Sequence, residues 1–219
     1  MNSTSGRSFR RGFTLVEVFF ILAVIAILAV LLKPKLANAE KKSQNISCVS
    51  HLKQCGLSCL AWAGDNANKT PMAVSTAKGG TMEFTNGADT FRHFQVMSNE
   101  LSNPLILACP SDTRQPAADF TQLKNQNVSY FVGLDVASDE NPQMILDGDR
   151  NITGPTSPEK GILKLSPGQN AAWTSTMHVN KGNVGLADGS VQAVSNSQLT
   201  EALRNSGATT NIWRISLPE

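Results

Sequence analysis

The chain lacks a strong charge bias. Its 219 residues carry 19 lysines and arginines against 17 aspartates and glutamates. So even a balance offers no electrostatic surface for nucleic acid, and none is expected as a partner. There is no Cys-x-x-Cys pair, and the three histidines are scattered, which argues against a structural zinc. No G-x-S-x-G nucleophile elbow is present, so no hydrolase signature accompanies the histidines. Internal repeats and low-complexity segments are absent as well.

What the chain does have is one long apolar run. Phe13 to Leu32 contains only Thr14 and Glu17 as polar side chains. As a helix, twenty residues rise about 30 Å, the thickness of a bilayer's hydrocarbon core. A carboxylate there costs roughly 2.5–3.5 kcal/mol even on the lenient insertion scale, so Glu17 calls for a partner. Arg7, Arg10 and Arg11 precede the run, and Lys33, Lys35, Lys41 and Lys42 follow it. Charge alone therefore does not set orientation.

Gly12-Phe13-Thr14-Leu15-Val16-Glu17, after a short basic leader and before an apolar run, resembles the type III signal of type IV pilins and type II secretion pseudopilins. The resemblance covers directly about the first fifth of the chain. It implies cleavage after Gly12 by a membrane prepilin peptidase and methylation of the new amino terminus at Phe13. Glu17 then falls where the family keeps a glutamate, and Pro34 where many members carry a helix-kinking proline. In a filament, Glu17 of one subunit would pair with the Phe13 amine of a neighbour. At low dielectric that attraction offsets the desolvation of both groups. The leader would be cytoplasmic and the rest extracytoplasmic. Two other readings stay open. A secretory signal peptide would be cut after Ala37-Asn38-Ala39, leaving Glu40 first. A plain membrane anchor would leave Glu17 unexplained.

Two further stretches are similar to a subgroup of pilin-like proteins. Cys48-Val49-Ser50-His51-Leu52-Lys53-Gln54-Cys55-Gly56-Leu57 resembles its C-x-N-N-L-[KR]-Q-[IL]-G-L block. His178, nine residues and then Asp188-Gly189 resembles its H-x9-DG ending. Ser50, His51 and Cys55 depart from the first pattern, as a divergent minor subunit would.

Four cysteines stand at 48, 55, 59 and 109. At 100° per residue, Cys55 and Cys59 lie within about 20° of Cys48 on a helix, and Leu52 and Trp62 join that stripe. The cysteines are either small apolar side chains on a buried face or partners for Cys109. The subgroup resemblance implies Cys48–Cys109. An extracytoplasmic location permits such a bond.

A helix is expected from about Thr14 to Ala63, kinked near Pro34 and stopped at Gly64-Asp65-Asn66. A short strand near Thr81–Thr85 and a helix from about Asp89 to Leu101 follow. Strands are expected at Leu105–Ala108, Ser129–Leu134, Gln143–Leu146, Gly161–Leu165 and Asn211–Leu217. Asn183–Ala187 and Ser190–Val194 flank Asp188-Gly189 as a hairpin whose two turn residues take positive φ. Ser195–Arg204 is a capped helix. The fold class is therefore α+β, pilin-like: one long helix on a small antiparallel sheet.

Residues 1–12 are read as the leader, 13–33 as the transmembrane and assembly helix, and 34–219 as the extracytoplasmic domain. The function expected is structural, without enzymatic activity or cofactor. The chain would be a pilin-like subunit of a type II secretion pseudopilus or type IV pilus-like filament in a bacterial inner membrane. Its partners would be the peptidase, other pilin subunits and an inner-membrane assembly platform. The alternative is a membrane-anchored or secreted binding module. Asp188-Gly189 is read as a turn and His178 as hydrogen-bonded to that loop, in preference to a catalytic histidine–aspartate pair. Asp147, Asp149 and Asn151 alternate oxygen ligands like the start of a calcium loop, but no glutamate follows at EF-hand spacing. A solvated turn is the plainer alternative.

Overall fold

The computed structural model describes residues 14–138, 141–166, 169–206 and 212–219. The chain divides into two compact units, Met1–Lys42 and Ser43–Glu219. Helix α1, Leu15–Asp65, has 51 residues and contributes to both. Its assignment continues through Pro34 without a break. At its start Thr14 and Glu17 form a reciprocal cap. The Glu17 backbone N–H donates to Thr14 Oγ1 at 3.3 Å, and the Thr14 N–H donates to Glu17 Oε2 at 3.5 Å. At its end the Asn66 side chain donates to the Trp62 carbonyl at 2.8 Å, and Ala67 and Asn68 turn to positive φ.

In the first unit every large apolar side chain between Leu15 and Leu32 that is described is exposed, from 41 to 84 %. In the second unit the helix carries the expected stripe. Cys48, Leu52, Cys55, Cys59 and Trp62 are all buried. The same element thus changes from an uncovered apolar rod to one face of a core.

That core rests on a six-stranded antiparallel sheet. Its strands are β1 (Tyr130–Gly133), β2 (Ile145–Asp149), β4 (Ile162–Leu165), β6 (Lys181–Leu186), β7 (Val191–Ser195) and β8 (Trp213–Ser216). They lie in the order β4-β8-β1-β2-β6-β7. A second, two-stranded sheet pairs β3 (Ile152–Thr153) with β5 (Ala172–Trp173). Both faces of the main sheet are covered. Tyr130 and Val132 pack with the α1 stripe, while Phe131 between them packs with Ile145, Trp213 and Ile215. Helix α4 (Asn196–Asn205) covers this second face through Leu199 and Leu203. Its capping box closes as expected, with the Ser195 N–H donating to Gln198 Oε1 at 2.9 Å.

The α+β class and the long helix on an antiparallel sheet agree with the sequence; several local expectations do not. Thr81–Thr85 is not a strand: Met82–Asn86 forms a 3₁₀ turn. Leu105–Ala108 is not a strand either. Asn103 accepts from the Leu105 N–H at 2.9 Å and Pro104 presets the first helical φ, so Pro104–Leu107 winds as 3₁₀. The helix expected over 89–101 is two short ones, α2 (Thr90–Gln95) and α3 (Ser98–Leu101).

At 186–190 the hairpin is closed by three residues. Leu186 pairs with Ser190, and the Gly189 N–H donates to the Leu186 carbonyl at 2.9 Å. Only Gly189 takes positive φ, at 78°, so the expectation of two positive φ values fails. The turn is the three-residue kind with a glycine bulge, in which Asp188 stays right-handed.

Candidate functional site

Strand β2 carries the unexpected chemistry. Residues 147–151 were expected to form either a solvated turn or a calcium loop, and they form neither. Asp147 and Asp149 lie in an interior strand, 3 % and 0 % exposed. A bulge explains where they point. The register shifts between Ile145, opposite Leu186, and Asp147, opposite Gly185, leaving Leu146 as the extra residue. One inserted residue flips the side-chain alternation. Ile145 joins the α4 face, and Asp147 turns instead to the face covered by α1. Gly185 makes room, since a Cβ there would fall 2.0 Å from Asp147 Oδ1.

Asp149, two residues on, sits at the centre of a buried polar seam. Its Oδ2 accepts from the Asn183 N–H at 2.7 Å and from Asn183 Nδ2 at 2.8 Å. Asn183 Nδ2 also reaches Asn45 Oδ1 on α1 at 3.2 Å. His178 Nε2 lies 3.3 Å from the same Asp149 oxygen. It lies 3.5 Å from Cys109 Sγ. Cys109 is joined to Cys48 of α1 by a disulfide spanning 61 residues, with Cα atoms 5.1 Å apart. Arg150 caps the seam. Its Nε and Nη2 each donate to an Asp112 oxygen at 2.7 Å. Asn151 is buried and donates to the Thr174 and Lys181 carbonyls at 3.0 and 3.1 Å.

The electrostatics follow from burial. Desolvation raises the Asp149 carboxyl to about 7, against the pull of the Asn183 hydrogen bonds. Asp147 is driven well above the usual carboxylate range by desolvation first and by the Asp149 charge second, which favours its neutral form. Burial is the largest single influence on Asp112 and works against its charge, but the hydrogen bonds from Arg150, Ser129 and the Thr113 N–H together with the Arg150 charge outweigh it and the group lies low. Desolvation lowers His178, with Asp112 opposing. Burial thus disfavours the charged imidazole beside Asp149.

Asp147 faces a cavity of about 10 Å³, walled in part by Cys55, Cys59 and His93. That is room for about one water. Both cysteines are free thiols, and burial pushes them up, so they behave as inert apolar groups.

The residues singled out from sequence are thus scattered over both units. Gly12 and Phe13 lie outside the described residues. Glu17 is exposed at the start of α1 in its cap with Thr14. That cap was legible as Thr-x-x-Glu, a signal the sequence reading missed. Pro34 lies inside α1. Asp147 and Asp149 lie on β2 and Asn151 lies beyond its end, and the donors and surroundings of the three differ as given above. His178 and Asp188, linked by the H-x9-DG spacing, are not brought together. Asp188 Oδ1 accepts from the Ser190 N–H at 2.8 Å, whereas His178 bonds to Asp149 and Cys109 instead of the 188–189 turn. The seam residues Asn45, Asp112, Arg150 and Asn183 carried no sequence signal at all, being isolated polar residues that only the sheet register assembles.

Compared with protein-family models, curated proteins and solved structures, the chain matches none.

Proposed function

We propose that this chain is a structural pilin-like subunit, processed between Gly12 and Phe13 and assembled through the first half of α1 into a pseudopilus or type IV pilus-like filament. The observation that carries this reading is the bare apolar rod. By length and composition α1 is able to cross a membrane. Among the described residues, its large apolar side chains from Leu15 to Leu32 find no cover. Each large apolar side chain left in water forgoes about 1.5–3 kcal/mol, so a surface of this size calls for lipid or neighbouring helices. Glu17 interrupts it at one end only. In a plain anchor that carboxylate would serve only the Thr14 cap, with no charge to meet it in the hydrocarbon. A filament core that supplies an amine would give it a charged partner as well.

The buried seam is assigned a structural role. It lacks a nucleophile beside an accessible base, and its carboxylates are sealed from solvent. Mass spectrometry of the chain isolated from its native membrane tests the reading. A methylated Phe13 amino terminus is expected, and Gly12→Ala should leave the leader attached. An amino terminus at Met1 or at Glu40 would overturn it in favour of a simple anchor or a secreted domain.

A further inference from the structure

The imidazole of His178 stands beside a disulfide with a buried carboxylate at its back, and neither its distance nor its partners are explained by the subunit role. Sγ of Cys48, Sγ of Cys109 and a ring nitrogen of His178 all lie within 4.8 Å of one another. Cys109 Sγ to His178 Nε2 is 3.5 Å, and His178 Nε2 to Asp149 Oδ2 is 3.3 Å. Around a tetrahedral zinc with bonds of about 2.3 Å to sulfur and about 2.0–2.1 Å to nitrogen or oxygen, adjacent ligand atoms stand roughly 3.3–3.8 Å apart. Two of the edges of such a tetrahedron are therefore already in place.

We propose that the Cys48–Cys109 pair is a redox-gated site for a thiophilic divalent cation of the zinc type. The disulfide is its closed form. In the reduced form Cys48, Cys109 and His178 are ligands, with Asp149 completing the set. The closed form offers no thiolate and binds nothing. To open it, a dithiol reductant delivers two electrons and two protons, cleaves the S–S bond and leaves as its own disulfide. The cation then displaces the two thiol protons to solvent and takes both sulfurs as thiolates. The sulfurs need only separate from bonding distance to about 3.8 Å, within reach of cysteine side-chain rotation.

The supporting frame is rigid on each side. Cys48 sits on α1, and the Asp149 oxygen is held by two Asn183 donors on β6. Held ligands of this kind disfavour larger, oxygen-seeking cations and favour four-coordinate geometry. The site does not depend on filament assembly, so its failure would leave the subunit reading untouched.

Cobalt(II) titration of the full-length chain in detergent tests it. After reduction with a dithiol and removal of the reductant, one equivalent of cobalt is expected. It should show thiolate-to-metal charge-transfer absorption and the intense visible bands of tetrahedral coordination. The oxidised chain should show neither. His178→Ala should weaken cobalt binding at least about tenfold, and Asp149→Asn by about 10–100-fold. The Cys48→Ser/Cys109→Ser variant should abolish binding. Cys55→Ala/Cys59→Ala should bind as the parent does, because those thiols lie elsewhere on α1. The proposal fails if the reduced parent takes up no cobalt. It also fails if binding survives loss of Cys48 and Cys109, or vanishes in the folded Cys55→Ala/Cys59→Ala variant.

Discussion

Asp149 shows how much a single buried side chain sets. Its folded-state carboxyl lies at about 7, well above an ordinary aspartate. A raised carboxyl binds a proton in the folded chain that the unfolded chain has released. Its contribution to stability is therefore complete below about pH 4 and is lost as pH rises through about 7. Asp149→Asn removes that titration while retaining an acceptor oxygen for Asn183. The variant should gain thermal midpoint relative to the parent at pH 8 and lose that advantage at pH 5, measured on the full chain in detergent. An unchanged difference between the two pH values would contradict the assignment. None of this was visible in the sequence. Asp-Gly-Asp-Arg-Asn reads as a hydrophilic turn, because strand patterns are recognised by apolar residues and this strand buries carboxylates. Glycines 148 and 185 hid it further. They serve as clearances for Phe131 and for Asp147, and not as turn formers.

Individual elements were legible where one local rule dominates. The cysteine stripe of α1, the α4 capping box and the 186–190 hairpin each follow from spacing or turn chemistry that tertiary contacts leave alone. The 3₁₀ turn at Pro104–Leu107 was misread because a four-residue apolar run looks the same in either geometry, and Asn103-Pro104 decided it. Strands β3 and β5 are two residues each and have no period to detect.

At the hairpin, Gly189→Ala places a side chain at φ 78°, with its Cβ 3.1 Å from Leu60 Cδ1. A cost of about 1–2 kcal/mol is expected, read as a lowered thermal midpoint. Loss of the α1-to-loop crosslink is larger. By chain entropy, a disulfide closing a loop of this length contributes about 4 kcal/mol, so Cys48→Ala/Cys109→Ala should lower the denaturation midpoint accordingly.

At the scale of the whole molecule the two units differ in how their apolar residues are covered. Ser43–Glu219 buries its apolar residues on both faces of a sheet and closes on itself. The rod from Leu15 to Leu32 does not. The α+β class with a long leading helix was readable, since a run of twenty residues and a set of later strands survive many local errors. The Glu17 proposal belongs here. Glu17→Ala should leave cleavage after Gly12 intact while subunits fail to incorporate into filaments, followed by crosslinking and sedimentation of sheared filaments. Normal incorporation would remove the register role. Buried charge pairs typically cost about 3–5 kcal/mol when one partner is deleted, enough to stop assembly at ordinary subunit concentrations.

Among the described residues Cys48 is the first position of α1 that is fully buried. Tension drawn along the helix axis from the amino end meets the Asn45–Asn183 hydrogen bond and then Cys48 before it reaches Leu52 or Trp62. Because the Cys48 anchorage is covalent, the load then passes into the segment around Cys109. Pulled from its amino end, the protein is expected to act as a stitched seam: extension should stall at the crosslink, and reduction should let the helix unzip from the sheet.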